Sequence, residues 1–521
     1  MVCEGETVED VTGREFYMST YKPELEMNLP EKVILFDTTL RDGEQMPGVT
    51  YTIDEKVLIA EQLDQLGVPK IEAGFPITSR GETEAVKRIA GLGLDATIVA
   101  LARPLKSDID RALECDVPYI HIFISTSDLH LKYMMNTTRE EVIRQTLEGV
   151  EYAKDHGVTV EFSPQDATRT EMAYLKQVCQ TALDAGAEML NIPDTVGVLT
   201  PRATYCFFKE LKESLRAPLS AHAHNDLGQA TATSLAAVEA GAEQVHVCVN
   251  GLGERAGNTS LEQVAISLLA QYGIDTGINY QKIAETSSLV ERLSGVYHPP
   301  NTPIVGDNAF AHEAGIHVHG VLGHRGNYEI IDAEFVGKKS RIAAGKHAGR
   351  HGLFKMVRDL GFEPTEEQLK IIAKRVKAIG DTGKVLTDSD LYAIVKDVMN
   401  LRIEDRVKLQ QLLVVTGNTI TPTASVTLLV DGEPMVGSGI GNGPIDSAIN
   451  AIRRVVEGFA DIKLEKFMMK AITGGTDAVA DVTVAVRRGD RVITASSVHG
   501  DTVMASVEAI LKGMNRLLDK D

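Results

Sequence analysis

Between residues 31 and 285, short apolar runs rich in β-branched side chains alternate with longer stretches that are apolar on one helical face. That alternation is the signature of consecutive strand-helix units. Eight such runs can be counted, at 33–39, 70–76, 96–102, 119–125, 159–165, 189–195, 219–225 and 244–250. No G-x-G-x-x-G turn and no switch in strand order accompanies them, so the spacing predicts an α/β chain with a closed (β/α)8 TIM barrel rather than an open doubly wound sheet. In such barrels the chemistry sits where the strands end. The run ends are rich in polar residues: D-T-T-L-R-D-G-E-Q at 37–45, E-A-G-F-P at 72–76, S-P-Q-D at 163–166, P-D-T at 193–195, H-A-H-N-D at 222–226 and N-G-L-G-E-R-A-G-N at 250–258.

The flanking segments read differently. Residues 1–30 are acidic and polar and are read as a partly ordered N-terminal extension. Residues 286–405 mix His/Gly-rich loops with helical patterns, which predicts a mostly helical linker region. From 406 to 521 the pattern predicts strands at 424–430, 482–487 and 491–496 and helices at 444–457 and 502–518, two similar halves of a compact α+β unit. A chain of 521 residues is too long for one core, in keeping with this division. A formal net charge of −20 opposes phosphate-backbone binding and argues against a nucleic-acid partner. No apolar run approaches the roughly 20 residues needed to span a bilayer, and the first residues lack an export signal, so a cytoplasmic protein is expected. The five cysteines (Cys3, Cys115, Cys179, Cys206, Cys248) are odd in number and contain no C-x-x-C pair, as for reduced packing thiols.

His222 and His224 are spaced i, i+2 at a strand end, so both imidazoles project from the same face, which in a barrel is the interior. Asp42, just past the first strand, lies next to the seventh and eighth strands once the barrel closes, and Asn258 in the loop after the eighth can add an amide oxygen. Two histidines, a carboxylate and a carbonyl oxygen suit a divalent ion such as Mn, Mg or Zn with open positions. Alone, H-x-H reads equally well as two hydrogen-bonded histidines; the surrounding motifs favour the metal. Asp226 reads either as a partner to a ligand or as a cap of the following helix.

The motifs F-D-T-T-L-R-D-G-E-Q at 36–45, H-A-H-N-D at 222–226 and N-G-L-G-E-R-A-G-N at 250–258 resemble those of the 2-isopropylmalate, homocitrate and citramalate synthases, as do G-K-H-A-G-R-H at 345–351 and the glycine-rich segment before P-I-D-S-A-I-N. The resemblance covers nearly the whole chain. It implies a Claisen-type condensation of acetyl-CoA with a 2-oxo acid and a metal held by Asp42, His222, His224 and Asn258. It further implies Arg41 as the cation polarising the keto oxygen, Thr195 as the donor to the 2-oxo acid carboxylate and Glu254 as an ordering group. Gln45 and His121 would line the substrate site. His317 would be the base, supplied by the partner subunit of a homodimer, with Tyr328 reaching the same site. The C-terminal domain resembles a regulatory domain that binds an amino-acid end product, and Gly439, Gly441 and Gly443 would permit close backbone approach to that effector.

Two positions depart from the family pattern. Gln165 stands where a glutamate is usual and cannot exchange a proton in the same way, and His319 replaces an aspartate two residues beyond His317. The Gly74-Phe75-Pro76 tip resembles isopropylmalate and homocitrate synthases more than citramalate synthases, and His121 resembles the first of these, which implies 2-oxoisovalerate as substrate and leucine as effector, with 2-oxoglutarate or pyruvate as alternatives. An aldol lyase on the same barrel would have no reason for the C-terminal module. A catalytically inactive amino-acid-binding protein is the remaining alternative.

Overall fold

The computed structural model describes residues 8–9, 15–21, 24, 26–343, 348–381, 386–399, 405–456, 459–471, 479–489 and 491–518. Eight parallel strands close in chain order into a barrel: β1 (Ile34–Asp37), β2 (Lys70–Gly74), β3 (Thr97–Ala102), β4 (Tyr119–Ser125), β5 (Thr159–Gln165), β6 (Met189–Asp194), β7 (Leu219–Ala223) and β8 (Gln244–Val247). The ring closes where β8 pairs with β1, Gln244 opposite Ile34 and Val247 opposite Asp37. The helices between and after the strands are α1 (Ile53–Leu66), α2 (Arg80–Ala90), α3 (Lys106–Leu113), α4 (Arg139–Asp155), α5 (Met172–Asp184), α6 (Pro201–Leu215), α7 (Ala230–Glu239) and α8 (Leu261–Tyr272). Hydroxyl caps fix several of their starts: Thr52 forms a capping box with Glu55 on α1, and Ser79, Thr138, Thr200 and Ser260 cap α2, α4, α6 and α8.

Five of the expected strands end one to three residues early, β1, β2, β6, β7 and β8. β1 stops at Asp37, whose carboxylate accepts from the backbone N–H and the hydroxyl of Thr39, both at 2.9 Å. The Thr38 carbonyl then accepts from the amides of Arg41, Asp42 and Gly43, and these local bonds replace the sheet ladder. β8 stops at Val247, and Asn250, at φ 58°, turns the chain back over the barrel mouth.

Alternate strand positions such as Leu35, Ile71, Ile120, Phe162, Leu190 and Val245 face outward and pack under Leu63, Val86, Val150, Val178, Leu211 and Val264 of the helices. The inward positions are polar to an extent unusual for a barrel interior, where branched aliphatics dominate. Glu161, Gln244, His246 and Tyr119 are buried there, and Phe36 stacks on His246 at 4.0 Å. A buried carboxylate is tolerable only when its oxygens are paired. Glu161 meets that condition by accepting from Gln244, Tyr119 and His246.

The barrel belongs to a compact unit comprising Met1–Phe310 and Glu329–Ser340. The second stretch joins it through Phe335, which stacks on Tyr280 at 4.9 Å and meets Phe16 edge-on at 5.9 Å. Helix α9 (Ile283–Ser294) follows the barrel.

The second unit comprises Ala311–Tyr328 and Arg341–Asp521. Helix α10 (Gly315–Gly323) precedes α11 (Arg350–Asp359), α12 (Glu366–Asp381) and α13 (Asp388–Val398), and the last three share a core around Leu353, Ile372 and Leu391. Two repeats of three antiparallel strands and a helix complete the unit. The first is β9 (Val407–Gly417), β10 (Ile420–Val430), β11 (Glu433–Ile440) and α14 (Pro444–Arg453); the second is β12 (Lys463–Ala471), β13 (Ala480–Arg488), β14 (Arg491–His499) and α15 (Thr502–Leu518). The sequence pattern marked only β10, β13 and β14. β9, β11 and β12 are largely exposed and lack the apolar alternation that reveals a half-buried strand. Among the described residues, no helix is long and apolar enough to cross a membrane.

Gly439 lets β11 lie directly on α14: a Cβ there would fall 2.4 Å from the Ala451 backbone nitrogen. Gly439→Ala is therefore expected to destabilise the second unit by about 1–3 kcal/mol, since overpacking against backbone cannot relax cheaply. Calorimetry should show a lowered transition for that unit while the barrel's transition stays in place.

Candidate active site

The segment after β1 and the end of β7 bring three potential ligands together. The Nε2 atoms of His222 and His224 lie 3.2 Å apart, and Asp42 Oδ2 is 3.3 Å from the first and 3.8 Å from the second. All three side chains are buried. Asp42 Oδ1 and Asn258 Oδ1 are buried without a hydrogen-bond partner, and Asn258 pairs with His224 in a backbone bridge. The Asn258 amide is oriented by donation to the Leu252 carbonyl at 3.2 Å. So many acceptor atoms in one buried place fit a cation. Burial, and after it the neighbouring His222, pushes His224 down to about 3, leaving its imidazole neutral. Burial opposes the charge on Asp42, but Arg41 and the two imidazoles hold its carboxyl well below the usual range.

Glycine makes this packing possible. Gly197, at φ +59°, lies so close under the site that a Cβ would meet the His224 carbonyl oxygen at 2.5 Å.

Arg41 is held from both sides, donating Nε to Glu72 Oε2 at 2.6 Å and Nη1 to Asp42 Oδ2 at 2.8 Å. The chain of contacts continues across the mouth: Glu72 Oε1 lies 2.6 Å from His121 Nδ1, His121 Nε2 lies 2.6 Å from Ser163 Oγ, and Asn191 Nδ2 donates to the same hydroxyl at 2.7 Å. Burial alone would raise the Glu72 carboxyl, but Arg41 and His121 outweigh it and bring the group down to about 2. Arg41 thus points a fixed, fully charged guanidinium at the cavity, an arrangement suited to stabilising negative charge developing on an oxygen.

Arg41, Asp42, Gln45, His121, Thr195, His222, His224 and Glu254 all line one cavity of about 260 Å³. Thr195 Oγ1 accepts from the Asp166 amide at 2.9 Å, which leaves its own proton for an anionic ligand. Gln165 lines the cavity too and takes a hydrogen bond from the Ser125 hydroxyl. Asp226 pairs with Arg255 at 2.7 Å, while Asn225 Oδ1 accepts from the Ala230 amide at the start of α7. Of the two readings left open for Asp226, capping therefore falls to its neighbour.

His317 and Tyr328 lie in the second unit, with their rings 4.2 Å apart. Gly439, Gly441 and Gly443 also belong there. Cβ atoms at the first two would run into α14, whereas the space beside Gly443 is open. Residues 345–347 of the G-K-H-A-G-R-H motif lie outside the described residues. The sequence reading gave no role to Asn191 or His246, although parity carried a signal for Asn191, which lines the same cavity as Thr195 four residues on.

Residues 32–290 match the HMGL-like family, 304–384 the homocitrate synthase post-HMGL domain-like family and 385–518 the LeuA allosteric (dimerisation) domain. Together the barrel and its mouth define a (β/α)8 enzyme with a candidate metal site. The chain is 51% identical over 500 residues to the 2-isopropylmalate synthase of Methanocaldococcus jannaschii, covering 95% of this chain and 96% of that one. It is 48% identical over 489 residues to the (R)-citramalate synthase CimA of the same organism, covering 94% and 100%. A Methanopyrus kandleri protein described as "Probable 2-isopropylmalate synthase" is 54% identical over 493 residues, covering 94% and 99%. The chain belongs to the family of 2-isopropylmalate and citramalate synthases, which condense acetyl-CoA with a 2-oxo acid.

Two outcomes are expected. Replacing both Asp42 and His222 by Ala should weaken divalent-metal binding by about 100-fold or more, read by elemental analysis after dialysis, with the helical circular dichroism retained. Because folding lowers the Glu72 carboxyl from 4.5 to about 2, its contribution to stability is fully present above 4.5 and is lost as pH falls through about 2. Thermal unfolding midpoints should drop across that window, and Glu72→Gln should make the drop shallower by about one proton.

Proposed function

We propose that the chain condenses acetyl-CoA with 2-oxoisovalerate to give 2-isopropylmalate and free CoA. One observation carries the choice of substrate: the cavity wall opposite the ligands is built from Phe75, Leu101 and Phe123, and both arginines that line the cavity are already paired. An isopropyl group is at home on such a wall. The distal carboxylate of 2-oxoglutarate would be buried there with no free cation among the lining residues. Pyruvate fits but forgoes the burial of two methyl groups, at about 0.8 kcal/mol each.

In this reading Arg41 steadies the keto oxygen, Thr195 donates to the substrate carboxylate, and Gln45, His121 and Glu254 shape the pocket. A divalent ion (Mn, Mg or Zn) held by Asp42, His222, His224 and Asn258 would supply Lewis acidity to the keto group when bound. His317 of the partner subunit takes a proton from the acetyl methyl, with Tyr328 beside it, and water completes release of CoA. The match to an allosteric (dimerisation) domain supports a homodimer regulated by an amino acid, leucine for this substrate, bound near the open space at Gly443. The enzyme acts in the cytoplasm, with no membrane or nucleic-acid partner.

A thiol-release assay tests this. The specificity constant for 2-oxoisovalerate should exceed that for pyruvate by about 10-fold or more, the discrimination that a pair of methyl groups supplies. A preference for pyruvate would make the chain a citramalate synthase, and one for 2-oxoglutarate a homocitrate synthase. His317→Ala should lower kcat by about 100-fold or more while metal content and dimer mass are unchanged.

A further inference from the structure

Beneath the metal ligands lies a buried polar ladder with no place in the chemistry so far: Lys70, Gln244, Tyr119, Glu161 and His246. Its upper end touches His222, with His246 Nδ1 3.3 Å from His222 Nδ1. Two imidazole nitrogens can make that contact only if one carries the proton and the other does not. The ladder decides which.

Lys70 Nζ donates to Gln244 Oε1 at 2.8 Å, which fixes the orientation of the amide. Gln244 Nε2 therefore faces Glu161, donating to both its oxygens at 2.9 Å, and the Tyr119 hydroxyl, itself accepting from Lys70, donates to Glu161 Oε2 at 3.1 Å. Glu161 is thus an acceptor on every side. His246 Nε2 stands 2.8 Å from Glu161 Oε1; a lone pair there would oppose the carboxylate, so Nε2 carries the proton. The 3.4 Å approach of Gln244 Nε2 to the same nitrogen is too long to compete. With its proton on Nε2, His246 presents the Nδ1 lone pair to His222 Nδ1.

We infer that Glu161 and His246 are positioning residues that lock His222 in the Nδ1–H tautomer, so that its Nε2 lone pair faces the metal position shared with Asp42 and His224. The inference rests on the metal reading above. Stacking of His246 on Phe36, with the rings within 8° of parallel, holds the relay in plane. His224 has no such lock: its Nδ1 is buried without a partner. The two imidazoles are therefore unequal, one set in advance and one free to adjust.

Neutron diffraction from crystals of the metal-free, deuterium-exchanged protein reads the relay without any variant. Deuterium is expected on His246 Nε2 and His222 Nδ1; deuterium on His246 Nδ1 with none on His222 Nδ1 overturns the inference. Variants supply the second readout. His246→Asn keeps an acceptor near the place of Nδ1, whereas His246→Gln places its amide near Nε2. Competition with a fluorescent chelator should show Mn²⁺ affinity within about 3-fold of the unaltered chain for the first and 10–100-fold weaker for the second. Equal affinities in both variants, with thermal midpoints showing both folded, would also overturn it. If the unaltered chain takes up no Mn²⁺, the metal reading fails and the relay's purpose with it; if it does, a contrary deuterium position sinks the relay alone.

Discussion

The pairing of β8 with β1 is the constraint on which the site depends. Asp42 follows the first strand and His222 and His224 end the seventh, so the three lie about 180 residues apart in the chain and meet only because the sheet closes on itself. An open sheet of the same strands would leave β1 at one edge and β8 at the other, and the carboxylate would have no imidazoles to face. Closure fixes the spacing through a whole barrel of packed helices rather than through flexible loops, which is how a metal site gains its preorganisation.

That arrangement has an energetic cost, seen in the barrel interior. Filling the centre with Glu161, His246, Gln244 and Glu72 in place of aliphatic side chains forgoes hydrophobic burial and buries charge. The structure offsets this by near-complete pairing: each carboxylate accepts from two or more donors, Lys70 reaches the ladder and Arg41 pairs with Glu72. What the polar centre gains is specificity of orientation. Arg41 is clamped by two carboxylates, and Glu72, His121, Ser163 and Asn191 run in one line across the mouth, so rotation of any one side chain disturbs its neighbour. The apolar wall of Phe75, Leu101 and Phe123 completes a cavity whose two sides differ in chemistry, one for charge and one for a hydrocarbon side chain.

The second unit follows different rules. Its two strand-helix repeats each bury one sheet face against a helix. Glycines in β11 have their local reason in the close approach of α14, and so their presence in the sequence is explained by packing before any ligand is invoked.

The barrel was legible in the sequence because period-2 and period-3.6 patterning and strand-end polarity are local properties, and the i, i+2 spacing of His222 and His224 sets both on one face in any strand. The grouping of Arg41, Asp42, Thr195 and Glu254 at one mouth followed from the same logic. β9, β11 and β12 were not legible, because an exposed strand has no alternation to read, and the pairing of Asp226 with Arg255 rather than with a helix terminus depends on a loop's path. The ladder under His222 was hidden for a related reason: Lys70, Tyr119, Glu161, Gln244 and His246 come from four different strands, and only the registers β8 to β1, β1 to β2 and β4 to β5 bring their side chains to one level. Sequence by itself determined which elements form and which residues face inward. Tertiary structure alone decided which inward residues touch, because hydrogen bonds between distant strands are set by register and closure, which leave no local trace in the chain.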